Sequence, residues 1–362
     1  MNIVYLIGNG FDIGLGLKTS YRDFIEAYIQ MECDNENIAW MRAQMSEDPK
    51  QWSDAEMAFG KLNFSERGKS PVKVYNDCYD DFADAFIEHL ARENERFAIP
   101  VEKRKEVSEE FLKCALNLGK HMTEGCATAY NEKMKSQSEL NLYFLTFNYT
   151  DSLEKILDVE KFGSQDRKLN IFGNDKQNVV VKAVCHVHGQ LDGDYVFGID
   201  SPSQIADEKV RLHCERNGGM IKATSEEKLG LTNRKRGTSI LSKADVIIPY
   251  GLSFGESDHS WWVKLHSRAF STGVQMILCP FTTRIPKHLG TKQQTDINRS
   301  EKLKVFHSLC VKNPSLSERV EAVGANQITV LKIKKVPDGR GRIYPCDYFR
   351  LTPLSRFVRN VN

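Results

Sequence analysis

The sequence has no Cys-x-x-Cys pair, although nine cysteines are scattered through its 362 residues. A structural zinc site or a redox dithiol needs that spacing, so neither is written here. Unpatterned cysteines in odd number suit reduced thiols in a cytosol. No apolar run approaches the roughly eighteen residues of a membrane helix, and no basic stretch leads into an apolar one at the start. The expectation is a soluble cytoplasmic protein without a membrane partner. Net charge is only +2, which removes any whole-molecule argument for nucleic acid or an anionic surface. Repeats and low-complexity tracts are absent too. With 41% hydrophobic residues the chain can bury one large core, and one elaborated domain spanning 1–362 is expected.

The stretch that organises the rest is the first two dozen residues. Ile3-Val4-Tyr5-Leu6-Ile7 is short and β-branched enough for a buried strand, and it stops at Gly8-Asn9-Gly10-Phe11-Asp12. Two glycines one residue apart let the backbone turn sharply and let a ligand approach it. Tyr21 to Ile29 then has helical spacing, with Thr19 or Ser20 as N-cap. Strand, glycine turn and helix together have the form of a phosphate cradle. It is not a P-loop, because no Gly-Lys-Ser/Thr follows. Nor is it an ordinary dehydrogenase fingerprint: Ile13 stands where the third glycine belongs, and no acidic strand end follows about twenty residues on.

Residues 34–139 show helical patterning and hardly any strand, and are expected to form an all-helical insertion into a core made of 1–33 and 140–335. Within the insertion, Ser53 and Glu56 have the spacing of a capping box. Strands are expected at Leu142–Phe147, Val179–Val187, Tyr195–Gly198, Asp245–Tyr250, Val274–Leu278 and Ile328–Ile333, with helices at Ser152–Leu157, from about His259, and near Ile297 to Cys310. Residues 201–237 are polar and read as a mobile excursion, a candidate gate by length and composition; 336–362 read as a C-terminal extension. The fold class is α/β, a Rossmann-like mostly parallel sheet with helices on both faces. In such sheets ligands lie at the carboxyl ends of the strands, where Gly8 to Asp12, Asn148 to Asp151, His188-Gly189 and Gly251 to Asp258 should converge.

At that rim His188 can take a proton from a hydroxyl or water near neutral pH, and Gly189 leaves room beside it. A histidine satisfied by backbone is the alternative. Asn148 offers a donor and an acceptor suited to ribose hydroxyls or water, or it closes an Asx turn. Asp12, Glu256 and Asp258 would oppose phosphate charge; ribose hydroxyls, helix caps or a metal fit them better. Gly251 and Gly255 serve a ligand or simply a turn.

Six ordered segments resemble the motifs of the AbiH bacterial phage abortive-infection family: Gly8 to Asp12, Thr19-Ser20-Tyr21, Trp52-Ser53-Asp54-Ala55-Glu56, Thr146 to Thr150, His186 to Gly189, and Gly251 to Asp258. That family in turn resembles the sirtuin-like NAD-binding superfamily. The resemblance implies NAD as substrate, with Gly8, Gly10 and Phe11 around the phosphates; Asn9, Asp12, Thr19, Ser20, Gly189, Glu256 and Asp258 are expected among the binding residues. It further implies Asn148 and His188 as catalytic and Gly251 and Ser253 at the adenosine ribose. Asp12 replaces the loop serine, Lys18 a usual proline, and Thr150 the strand-end aspartate; the zinc-bearing cysteines of protein deacetylases are missing, which counts against peptide deacylation.

The leading expectation is hydrolysis of NAD at the nicotinamide–ribose bond, without zinc. A toxic hydrolase must be restrained, so a homo-oligomer and a phage-derived trigger or regulatory partner are expected. A metal-dependent nuclease using Asp12, Asp54, Glu56, Glu256 and Asp258 is the rival, since carboxylates suit magnesium. A dinucleotide sensor that binds without cleaving is the third reading.

Overall fold

A computed structural model describes residues 1–159, 165–171, 176–269, 271–279, 328–330, 336–337, 343–344 and 352–359. The strands are β1 (Asn2–Ile7), β2 (Glu139–Thr146), β3 (Gln165–Asn170), β4 (Lys176–His186), β5 (Val246–Tyr250), β6 (Gln275–Leu278) and β7 (Ile328–Val330). They form one sheet in the order β3-β4-β2-β1-β5-β6-β7. Every pairing is parallel except that of β3 with β4, so the expected mostly parallel α/β sheet is present. Progress from β1 runs outward through β2 to β4 on one side and through β5 to β7 on the other. The switch point lies between β1 and β5, where a crevice opens at the strand ends.

The helices are α1 (Gly10–Leu15), α2 (Tyr21–Tyr28), α3 (Glu36–Glu47), α4 (Ala55–Gly60), α5 (Pro71–Arg96), α6 (Val101–Leu116), α7 (Glu124–Lys135), α8 (Ser152–Leu157), α9 (Glu208–Asn217), α10 (Lys222–Lys228), α11 (Asn233–Ser242) and α12 (His259–Ala269). Period-two alternation along β1 assigns the two layers. Ile3, Tyr5 and Ile7 face a core closed by Phe111 and Leu112 of α6 and Tyr130 and Met134 of α7. Val4 and Leu6 face the other layer, closed by Leu241 of α11 and Trp261, Trp262 and Leu265 of α12. A third cluster joins α2 to α5 with α9, packed on Phe24, Tyr75, Phe82 and Phe86.

Several expectations change here. Residues 34–139 are helical, but α6 and α7 are not an appendage: they are the layer covering one sheet face, because strands buried on both sides need a cover on each. The excursion at 201–237 is built of α9, α10 and the first half of α11, with Val210, Cys214 and Lys222 fully buried. Its polar composition misled because Lys222 and Arg234 are paired internally rather than solvated. Tyr195–Gly198 is not a sheet strand; Tyr195 makes one isolated bridge to Gly189. The antiparallel edge β3 had no sequence signal. The helix expected near Ile297 to Cys310 lies outside the described residues, as do much of the expected 336–362 extension and the last three residues of the strand expected at Ile328–Ile333. No helix among the described residues is long and apolar enough to cross a membrane.

If α6 is a structural layer, Phe111→Ala should lower the free energy of unfolding by about 3–5 kcal/mol in chemical denaturation, as for other buried aromatics. A loss below about 1 kcal/mol would mean that α6 is dispensable to the core.

Candidate functional site

The β1 and β5 turns meet in van der Waals contact. A Cβ on Gly8 would stand 2.6 Å from the Gly251 carbonyl oxygen, and one on Gly10 2.6 Å from Gly251 Cα. Gly251 itself has φ +68°, which favours glycine. The Gly8 amide donates to Tyr250 O and the Gly10 amide to Gly251 O, both at 2.9 Å, while the Phe11 amide donates to Gly8 O. These glycines therefore serve turn-against-turn packing, and the three amides are engaged inside the protein. The turn is a wall of the site, not an open cradle of free amides.

Beside it lies a cavity of about 390 Å³, whose walls include Gly8, Asn9, Gly10, Ser20, Asn148, His188, Gly251, Ser253 and Asp258. Asp54, Glu56, Phe147 and Trp262 complete much of it. Both catalytic candidates and most binding candidates are thus brought together. Five are not. Phe11 is buried in the core, edge-on to Phe111 and Tyr250. Asp12 is buried below the turn and accepts from Thr150 Oγ1 at 2.6 Å and from Ser152 Oγ, tying α1 to the β2–α8 turn. Burial raises its carboxyl to about 6, against the opposing pull of those hydroxyls. Thr19 donates its hydroxyl to Asn9 Oδ1 and accepts at its carbonyl from Asn9 Nδ2. Gly189 turns the chain at φ +90° and lines a separate cavity with Glu154 and His186. Glu256 is exposed and borders a neighbouring depression with Lys61. Ser20 caps α2 by accepting the Asp23 amide.

Asn148 is fixed from two sides. Its Nδ2 donates to Gly8 O at 3.3 Å, and its carbonyl accepts from His186 Nδ1 at 2.8 Å. A carbonyl only accepts, so His186 carries a proton on Nδ1; its Nε2 lies 2.5 Å from Glu154 Oε1. His186 is thus a support under Asn148. It lines a separate cavity and not the one that holds His188; β4 ends at His186 and the chain turns at Val187 and His188.

His188 is 3% exposed. Its Nε2 is 2.8 Å from Asp258 Oδ1 but out of line with it, and neither ring nitrogen makes an aligned hydrogen bond within the described protein. Burial first, and then the nearby Lys222 ammonium, hold its pKa below the ordinary 6.5, with Asp258 pulling the other way. A neutral imidazole with an unengaged nitrogen is the form a general base requires.

Lys222 was missed in the sequence, where a lysine in a polar stretch gives no signal. Its ammonium is fully buried and donates to Glu56 Oε2 at 3.0 Å, Asp258 Oδ1 at 2.8 Å and Ser257 O at 3.2 Å. All three N–H bonds are in use. Burial alone would lower the Lys222 pKa, but Asp258 and then Glu56 raise it above the ordinary value. Burial likewise works to raise Asp258, yet Lys222 and then His188 hold it well below the carboxylate range. Burial raises Glu56, with the same lysine working against it. The capping box expected of Ser53 and Glu56 is not formed: Asp54 caps α4 through the Met57 amide, and Glu56 points inward to Lys222 and the Gly198 amide.

Of the five carboxylates of the nuclease reading, Asp54, Glu56 and Asp258 line the cavity, and Asp12 and Glu256 do not. Asp12 is held by hydroxyls, Glu256 faces away, and Glu56 and Asp258 already bind an ammonium. Among the described residues no group of three His, Cys, Asp or Glu side chains has metal-holding geometry.

Removing Lys222 leaves two buried carboxylates without a counterion, so Lys222→Met should lose about 3–5 kcal/mol of unfolding free energy at pH 7. The depressed Asp258 makes the sign definite: the wild-type advantage is full above the unfolded aspartate pKa of about 4 and shrinks on acidification through the folded value. Denaturation in both pH ranges measures it, and a gap below about 1 kcal/mol at pH 7 would refute the pairing.

The sequence model described as bacteriophage abortive infection AbiH matches residues 4–278, which include both layers of the sheet and every residue of the cavity. No curated protein matches the chain. The chain therefore belongs to the AbiH bacteriophage abortive-infection family.

Proposed function

We propose that the cavity hydrolyses the nicotinamide–ribose bond of NAD, releasing nicotinamide and ADP-ribose, and that this depletes the cofactor of an infected cell. The observation that carries the reading is a buried, neutral His188, one ring nitrogen against Asp258 and the other without a partner among the described residues, beside an anchored Asn148 in one cavity. The C1′–N bond breaks with its electron pair passing to the pyridinium, which leaves as neutral nicotinamide. Positive charge then develops on the ribose, as in glycoside cleavage. Water forms the new C1′–O bond and gives its proton to the unprotonated ring nitrogen of His188, the one that does not face Asp258. Asn148, whose carboxamide nitrogen is tied to Gly8 O, orients the ribose and the water. Phe147 and Trp262, with ring centroids 5.3 Å apart, offer apolar faces to the departing base.

A site whose wall carries Asp54, Glu56 and Asp258 against one ammonium favours a cationic base and an oxocarbenium-like ribose over an anionic group. The resemblance of the family's motifs to those of the sirtuin-like NAD-binding superfamily supports this reading. An enzyme of this kind must be silent in a healthy cell, so its activity should depend on self-association or on a phage-derived trigger, read as NAD turnover with and without phage lysate.

Chromatography of NAD incubated with the protein and lysate tests the reaction. His188→Ala and Asn148→Ala should each lower kcat by about a hundredfold or more while leaving the melting temperature within a few degrees. Intact NAD with the wild-type protein under every condition, including assembled and triggered states, would reject the hydrolase and leave a binding sensor. Nucleic acid degraded in the presence of magnesium would instead restore the nuclease.

The pH profile supplies a separate check. Since His188 acts unprotonated and its pKa is depressed, kcat should rise with pH along a limb lying below about 6.5 and be flat through 7. A limb above 7 would contradict a neutral buried base.

A further inference from the structure

The segment Trp52-Ser53-Asp54-Ala55-Glu56 stands apart from the sheet in sequence, yet the fold delivers two of its carboxylates to the cavity that holds His188. They arrive in different states. Glu56 is bound to Lys222, whose remaining donors go to Asp258 and Ser257 O. Nothing of that ammonium is left for Asp54. Asp54 Oδ1 accepts the Met57 amide at 3.2 Å, an N-cap that fixes the side chain at the start of α4. Oδ2 lies toward Gly255, 3.1 Å from where a Cβ on that residue would stand. A capped carboxylate with no ion pair among the described residues, on which Lys222 and Lys61 act only at longer range, therefore lines the same cavity as an imidazole whose side chain is 4% exposed.

We infer that Asp54 is a third catalytic residue, a carboxylate that faces the reacting ribose and stabilises the positive charge developing at its anomeric carbon; this rests on the N-glycoside reading of the cavity given above. Asp258 cannot serve equally, because its charge is already neutralised by Lys222 and turned toward His188. Glu56 cannot either, being 7% exposed at its side chain and bound to the same lysine. Asp54 takes no proton and forms no bond in the step: the electron pair of the C1′–N bond leaves with nicotinamide, the water proton goes to His188, and Asp54 remains ionised throughout. Burial raises its pKa, as expected of a charge kept in a site of low polarity.

Asp54→Asn separates this role from a structural one. Asparagine is as good an N-cap as aspartate, so the Met57 bond and the fold are kept while the charge is removed. In the trigger-activated protein, kcat for NAD should fall about a hundredfold with KM changed less than about threefold, and Asp54→Glu should recover part of it. Calorimetry with two probes gives a readout that a merely structural role would not move. An ADP-ribose analogue bearing a cationic nitrogen in place of the anomeric carbon should bind the variant about a hundredfold more weakly than wild type, while ADP-ribose itself binds both alike. Equal loss for both probes, or no loss for either, overturns the assignment of Asp54 and leaves the hydrolase reading standing as long as the wild-type protein cleaves NAD. A wild-type protein that binds neither probe and cleaves no NAD overturns both together, and is told apart by that wild-type result.

Discussion

A single buried ammonium holds the site together. Lys222 sits where no water reaches it, and a charge in that position is tolerable only because carboxylates from two distant segments close on it. Glu56 is 166 residues away in sequence and Asp258 is 36 away. The same Asp258 oxygen that meets the lysine also meets His188. Compaction of the α4 segment, docking of α10 and the electrostatic state of the imidazole are consequently one event. Were α10 undocked, Asp258 and Glu56 would repel each other and the ring would lose its orienting contact.

The sheet supplies the other half of the constraint. Its switch point between β1 and β5 opens a crevice, and the contact of Gly8 and Gly10 with Gly251 sets how close the two turns stand. Asn148 joins the frame through Gly8 O, and His186 props it from behind. Asp12, buried and bridged to Thr150 and Ser152, fastens the first turn to the second. Sheet-borne residues are thereby rigid relative to one another. The helical segments bring the compensating charges.

Much of this frame was legible in the sequence because it is local. Short apolar runs ending in glycine or asparagine mark β1, β2, β4 and β5, and period-two alternation along β1 marks its two buried faces. His188 and Asn148 were visible for the same reason: each lies one residue past the end of a run that reads as a strand. What was not legible depends on contacts far apart in the chain. Lys222 lies in a polar stretch that looks solvated, and only the fold reveals that its partners are 36 and 166 residues away. Glu56 at capping-box spacing invites a local explanation that the structure replaces with a long-range one. Phe11 and Asp12, adjacent to the glycines, were drawn into the ligand site by proximity. The short helix α1 turns both away from the cavity, Phe11 into the core and Asp12 under the turn.

The distribution of charge around the cavity follows from that division of labour. Residues at the ends of parallel strands are neutral at neutral pH: a glycine turn, an asparagine and a depressed histidine. The negative groups come from helical segments outside the strand ends, Asp54 and Glu56 at the start of α4 and Asp258 just before α12, and the only ammonium among them is buried and fully bonded. A neutral floor with an acidic side wall puts no cysteine or lysine among the lining residues to attack the substrate. It is well suited to a reaction in which the substrate starts with a positive charge on one ring and passes it to the next. In the reading proposed above, the chemistry comes from the bond being broken, with the protein holding the ribose still, receiving one proton and keeping the Asp54 carboxylate close to the migrating charge.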